Sequence, residues 1–200
     1  MHSKLYIAIL VGFISVGLSS AQPIEYVGSQ KCKSCHKSEK KGAQYKLWEE
    51  SKHAKAFDVL LSEAALKIAA ERKLKLPPSE SPECLECHTV GFGKGGYEVM
   101  DAAFWNAPKE DKKARKAIKR MEGLKNVGCE VCHGPGDAYK KKKVMQGIYS
   151  DSLKASDYSL VTIPSEETCL KCHNERSPSF KPFNYEERVK EIAHPFPKDM

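Results

Sequence analysis

Apolar residues cluster at the start of the chain, in the run Leu5 to Leu18, and thin out sharply after it. Farther on they recur at helical spacing: His53, Ala56, Phe57, Leu60, Leu61, Ala64, Ala65 and Ile68 form one stripe, which Pro77-Pro78 ends. Ser38 can cap a helix beginning at Glu39. The stretch P-K-E-D-K-K-A-R-K-A-I-K-R-M-E-G predicts a charged surface helix from Pro108 to Gly123, with proline at its start and glycine as C-cap. Asn184 can cap a last helix, Tyr185 to Ala193, with Tyr185, Val189 and Ile192 on one face and His194-Pro195 at its end. No segment alternates with the period of a half-buried strand. The pattern predicts a mainly α fold of helices and long loops with little or no β-sheet.

The first apolar run has the marks of a secretory leader. Lys4 precedes it, it is too short to span a bilayer, and Ser19 and Ala21 are small residues suited to a cleavage site after Ala21. An uncleaved membrane anchor is the competing reading, and no cysteine stands at the site for a lipid anchor. The division expected is a signal peptide, residues 1–21, and one domain, residues 22–200, exported to the periplasm with no need of membrane association.

That domain is short of long apolar runs, and the chain is 30% charged, so side chains alone would build a thin core. The cysteines suggest what fills it. Eight cysteines in an exported chain would ordinarily pair as disulfides. Here they fall as Cys32/Cys35, Cys84/Cys87, Cys129/Cys132 and Cys169/Cys172, each pair two residues apart and followed at once by His36, His88, His133 or His173.

C-x-x-C-H is the attachment signature of c-type haem: two thiols add across the porphyrin vinyl groups, and the adjacent histidine binds the iron. C-x-x-C alone also serves zinc ribbons and redox dithiols. Zinc ribbons, however, do not require a histidine after every pair, and here every cysteine is used with the histidine in register. The expected cofactors are therefore four covalent c-type haems, closely stacked, with the polypeptide wrapped around them. The haems also change the electrostatics. The formal charge of +7 becomes about −2 once Lys4 leaves with the leader and roughly eight propionates are added. Nothing then points to nucleic acid.

Seven histidines are present. His2 falls in the leader and four belong to the motifs, which leaves His53 and His194 as candidate second axial ligands. Four six-coordinate haems would need four such ligands. The other two irons must use methionine or lysine or stay five-coordinate, and Met145, with Lys143 beside it, is the candidate past the third motif.

The residues that surround the motifs resemble those of the tetrahaem cytochrome c-554 family. The likeness runs through Y-V-G-S-Q-K-C-K-S-C-H, L-W-E-E-S-K-H-A-K-A-F, C-L-E-C-H-T-V-G-F-G-K-G-G-Y, V-G-C-E-V-C-H-G-P-G, E-E-T-C-L-K-C-H and the closing V-K-E-I-A-H. The resemblance implies a mainly helical unit with haems in stacked pairs, three bis-histidine and the second-motif haem, on His88, five-coordinate. By position it implies that His53 serves the fourth haem and His194 the third, and it sets Phe183 near the open one. The histidine the family carries past C-H-G-P-G is missing: D-A-Y-K-K-K-K-V-M has Lys143 at that offset and Met145 two residues on. The first haem, on His36, is thus Met- or Lys-ligated or open. The segment from Met100 to Glu122 looks like an insertion relative to the family.

Two functions follow as expectations. One is a periplasmic electron carrier between redox proteins, such as a hydroxylamine-oxidoreductase-like multihaem enzyme or a quinone-linked cytochrome. The other is a haem enzyme acting on a small nitrogen or sulfur compound, such as nitric oxide or hydroxylamine, at a five-coordinate iron. No acid/base cluster fixed by the sequence stands beside either candidate haem, so no catalytic residue is assigned and the carrier is the favoured reading.

Overall fold

The computed structural model describes residues 24–197. The leader, residues 1–21, lies outside the described residues. Eleven α-helices follow one another among the described residues: α1 Gln30–His36, α2 Gln44–Glu50, α3 Ala56–Val59, α4 Glu63–Glu71, α5 Pro82–His88, α6 Ala102–Trp105, α7 Lys112–Gly123, α8 Cys129–His133, α9 Lys142–Tyr149, α10 Glu166–Leu170 and α11 Tyr185–Ile192. Short 3-10 turns at Glu39–Lys41, His53–Lys55 and Ala155–Tyr158 join them. Strand pairing among the described residues is limited to one isolated bridge, Thr89 to Lys125. The mainly helical expectation holds.

Where helices differ from the pattern, local capping decides. The stripe from His53 to Ile68 is not one helix. It is a 3-10 turn followed by α3 and α4, broken at Ser62, whose hydroxyl accepts from Ala65 N at 3.2 Å and starts α4 afresh. Leu61 and Ala64 are exposed as a result, and α4 ends at Glu71, well before Pro77. Likewise α7 begins at Lys112 rather than Pro108, because Asp111 accepts from both Lys113 N and Ala114 N at 2.9 Å. Ser38 opens only a 3-10 turn and makes no side-chain cap. Asn184 does cap α11, accepting from Glu187 N at 3.3 Å.

The protein core is as thin as the composition suggests. Among the described residues Phe57, Leu60, Leu85, Val90, Tyr97, Met121 and Leu124 form a cluster of buried apolar residues. Leu85 lies inside the second C-x-x-C-H motif, while Met121 and Leu124 lie at and just past the end of α7, so this core seats the second motif against the basic helix. Large apolar side chains elsewhere remain exposed, Leu61 at 63% and Ile163 at 70% among them. Among the described residues no helix is long and apolar enough to cross a membrane.

Candidate functional site

Each C-x-x-C-H motif sits on a helical turn. The first three occupy the C-terminal ends of α1, α5 and the whole of α8. In the fourth, Cys169 lies on α10, and the turn continues through Cys172 and His173, whose N–H groups both donate to Cys169 O. One helical turn between the two cysteines puts both thiols and the histidine on neighbouring positions. All eight cysteines are free thiols, so the disulfide reading fails.

The motifs are neighbours in space in an order the sequence does not follow. The Cys129 sulfur next to Cys32, together with burial, pushes the Cys32 thiol far above its ordinary range. At the other end Cys172 and Cys87 perturb each other in the same way, and Cys87 is drawn down to about 7 by the Cys172 sulfur. Burial, with Cys169 and Cys129 nearby, raises Cys132 to about 11. The motifs therefore run first, third, fourth, second.

Three of the four motif histidines have a partner at Nδ1, which leaves Nε2 free for a metal. His88 Nδ1 donates to Ala56 O at 2.5 Å and His133 Nδ1 to Val161 O at 2.6 Å. His36 Nδ1 lies 3.3 Å from the Gln44 amide oxygen. A carbonyl on Nδ1 fixes the tautomer and leaves Nε2 as a lone-pair donor, the arrangement usual for metal-bound imidazole. Burial lowers the pKa of His53 and His133, which keeps them in the neutral form that a ligand requires.

Two further imidazoles come to meet them. The ring of His53 lies 6.1 Å from that of His173, and the ring of His194 lies 5.7 Å from that of His133. A metal-bound imidazole nitrogen sits at about 2 Å, so two rings on opposite sides of one ion have centroids about 6 Å apart. Each pair thus has the room that one iron takes.

The backbone explains how His53 arrives there: its carbonyl accepts from Val127 N at 3.0 Å, Trp48 Nε1 donates to Val127 O at 2.8 Å, and Phe57 N donates to Asn126 Oδ1 at 2.7 Å. His194 is brought by the end of α11, and Gln44 Nε2 holds the next residue by donating to Pro195 O at 2.9 Å.

Among the described residues, no second imidazole pairs with His36 or His88. Met145 lies half-buried on α9, where its N–H donates to Lys141 O, and no hydrogen bond or ring contact joins it to His36. Phe183 stacks on His173, with ring centroids 4.7 Å apart and planes 21° apart.

Sequence reasoning left out the residue that organises the third motif. Glu130, between the two cysteines, is 2% exposed. Its carboxylate accepts from Val27 N at 2.8 Å, Gly28 N at 2.7 Å and Gly136 N at 2.6 Å. It ties the N-terminal approach and the G-P-G loop to the motif. A charged residue inside an otherwise apolar V-G-C-E-V-C-H-G-P-G was the visible signal. The glycines of that loop are required for space: a Cβ on Gly134, at φ +81°, would lie 2.4 Å from Ser159 O, and one on Gly136 would lie 2.9 Å from Glu130 Oε1.

The donor set therefore fits haem: free thiols in helical turns, three of the four motif histidines with Nδ1 occupied, and paired rings at the spacing of one iron. Together with a core too thin for the chain, these features define a multihaem c-type cytochrome. The profile of the family described as "Cytochrome c554 and c-prime" matches residues 31–134, and the chain belongs to that family. It is 32% identical over 171 residues to cytochrome c-554 of Nitrosomonas europaea, an alignment that takes in 80% of this chain and 62% of the relative, so the match spans less than two thirds of that protein's length. It is also similar to the solved structure of reduced cytochrome c554 from the same organism, with a TM-score of 0.51 and 28% identity over 85% of this chain and 79% of the other. The family carries covalently bound haem iron, and so does this chain.

Proposed function

We propose that this protein is a periplasmic tetrahaem electron carrier, residues 22–200 forming one cytochrome domain behind a leader cleaved after Ala21. The observation that carries the reading is the unbroken run of motifs, first to third to fourth to second: Cys129 N donates to Ser29 Oγ beside the first motif, His53, whose carbonyl holds Val127 ahead of the third, faces His173 of the fourth, and Arg176 just past the fourth pairs with Glu86 inside the second. When bound, each haem iron exchanges one electron between its ferric and ferrous states.

In this reading Cys32 and Cys35, Cys84 and Cys87, Cys129 and Cys132, and Cys169 and Cys172 tether the four porphyrins, and His36, His88, His133 and His173 bind the irons. His53 completes the fourth site and His194 the third. Two imidazoles on an iron keep it low-spin and shut to substrate, which suits a carrier. The carbonyls of Ala56 and Val161 keep His88 and His133 oriented and their Nε2 basic. At the first site Met145 of α9 is the candidate second ligand, ahead of Lys143. Redox proteins are the partners this reading requires.

A redox titration of the purified holoprotein, followed optically and by EPR, tests it. Four one-electron centres, at least two of them low-spin with bis-imidazole signatures, are expected. A single titrating haem, or none low-spin, would overturn the reading.

A second reading rests on His36 and His88, which have no second imidazole among the described residues. An open iron there would allow chemistry on a small nitrogen or sulfur compound such as nitric oxide or hydroxylamine. If neither carbon monoxide nor nitric oxide shifts the ferrous spectrum, that reading is excluded.

A further inference from the structure

The helix α7 carries a concentration of charge that the haem sites do not use. Seven cations and two carboxylates between Lys109 and Arg120 leave a local +5, against +7 for the whole chain. Of these, Arg120 is engaged, donating to Tyr26 O and Gly95 O at 2.8 Å. Lys112, Lys113, Arg115, Lys116 and Lys119 are all exposed, and none takes part in an ion pair among the described residues. Five unpaired cations on little more than two turns repel one another. That repulsion is relieved when an anionic surface covers them.

The placement of the helix says what kind of surface. Its inner face is turned into the protein, where Met121 packs with Leu85 of the second motif, and Lys125 bridges Thr89, the residue after His88. A molecule seated on the outer face of α7 is therefore beside the second motif, at the end of the run of four.

We propose that α7 is the docking surface for an acidic redox protein, which exchanges electrons with this one through the second haem. The proposal rests on the carrier reading and adds its partner class and point of entry. An anionic lipid surface is the weaker match, since the outward face offers no exposed aromatic or leucine to enter a bilayer, and Ile118 and Met121 face the core side. With propionates counted, the whole molecule is near neutrality, so attraction comes from this patch and orients the encounter.

The test compares the wild-type holoprotein with the quadruple variant K112E/K113E/K116E/K119E, using reduced plant-type ferredoxin as an acidic one-electron donor and neutral lumiflavin semiquinone as an uncharged one. In low salt, the wild type is expected to be reduced by ferredoxin about 10-fold or more faster than the variant, the two converging as ionic strength rises to about 0.5 M. Lumiflavin should reduce both at one rate. Equal ferredoxin rates at low salt would overturn the docking proposal, and so would a lumiflavin rate that falls in the variant as far as the ferredoxin rate does. Sedimentation of the wild type with phosphatidylglycerol vesicles, combined with equal ferredoxin rates, would assign the patch to lipid instead. Failure of lumiflavin to reduce the haems of either protein would count against the carrier reading itself, which separates the two failures.

Discussion

Gln44 joins the first motif to the residue after His194 through one side-chain amide. Its Oε1 lies 3.3 Å from His36 Nδ1 in the first motif, and its Nε2 donates at 2.9 Å to the carbonyl of Pro195, the residue after His194. The same Nε2 donates to Lys41 O at 2.7 Å, and the residue is 6% exposed. Gln44→Leu keeps the size and removes all three bonds. The two carbonyls are at most partly buried, so losing their donor costs about 0.5–1.5 kcal/mol each, and His36 loses the partner at Nδ1 that raises its basicity. Spectra of both the first and third haems should change. A change confined to the first would show that Pro195 does not depend on Gln44.

The paired rings predict selective loss of ligation. In His53→Gly one haem of the four should pass from low to high spin in ferric EPR, and in His194→Gly a different one should. His53→Met should restore the low-spin state with a raised potential, since a thioether favours ferrous iron over what imidazole does. If neither glycine variant gained high-spin haem over the wild type, neither histidine would be an axial ligand.

Glu130 predicts a large stability effect from a group that is not itself a candidate ligand. Glu130→Ala leaves Val27, Gly28 and Gly136 N–H without their acceptor, at a cost on the order of 3 kcal/mol in urea denaturation of the holoprotein. Burial raises its pKa above the ordinary 4.5, against the opposing pull of the three N–H donors. The folded protein then binds that proton more tightly than the unfolded chain does, so this group's contribution is complete below pH 4.5 and falls as pH rises through the folded value. Glu130→Gln should flatten that part of the stability profile, and an unaltered slope would refute the assignment.

Gly134 should tolerate no side chain. At φ +81° a Cβ is strained by about 1–3 kcal/mol before any contact is counted. The added atom also pushes on Ser159 O and, through it, on the segment whose Val161 carbonyl holds His133. Gly134→Ala is expected to lower stability and raise the potential of the third haem, because a less firmly hydrogen-bonded imidazole is a weaker donor. Loss of stability with all four potentials unchanged would confine the role of Gly134 to the turn.

Met145→Ala addresses the first site. If Met145 binds that iron, the variant loses the ferric iron–thioether charge-transfer band and the potential of the first haem falls. An unchanged spectrum would remove Met145 from the ligand set and leave Lys143 or an open position.

Much of this protein was legible one residue at a time. Haem attachment needs two thiols and an imidazole within a single helical turn, so Cys129, Cys132 and His133 announce their chemistry through spacing alone. A helix cap is equally local, and Asn184 was identifiable for that reason. Ser62 shows the limit of such reading: the apolar spacing through it is helical, but its hydroxyl competes for the backbone and starts a new helix.

Tertiary structure decided the relations between distant segments. His53 meets His173 across 120 positions because Val127, Asn126 and Trp48 fix the turn that carries it, bonds that no periodicity encodes. The order of the motifs, the clamp of Glu130 on Val27 and Gly28, and the seat of α7 against the second motif depend likewise on which backbone donors and acceptors are left over and where they meet. The sequence by itself determined the kind of cofactor and the number of its sites, because covalent attachment and first ligation are short-range. Which histidine faces which only folding could settle, because those contacts join groups far apart in the chain.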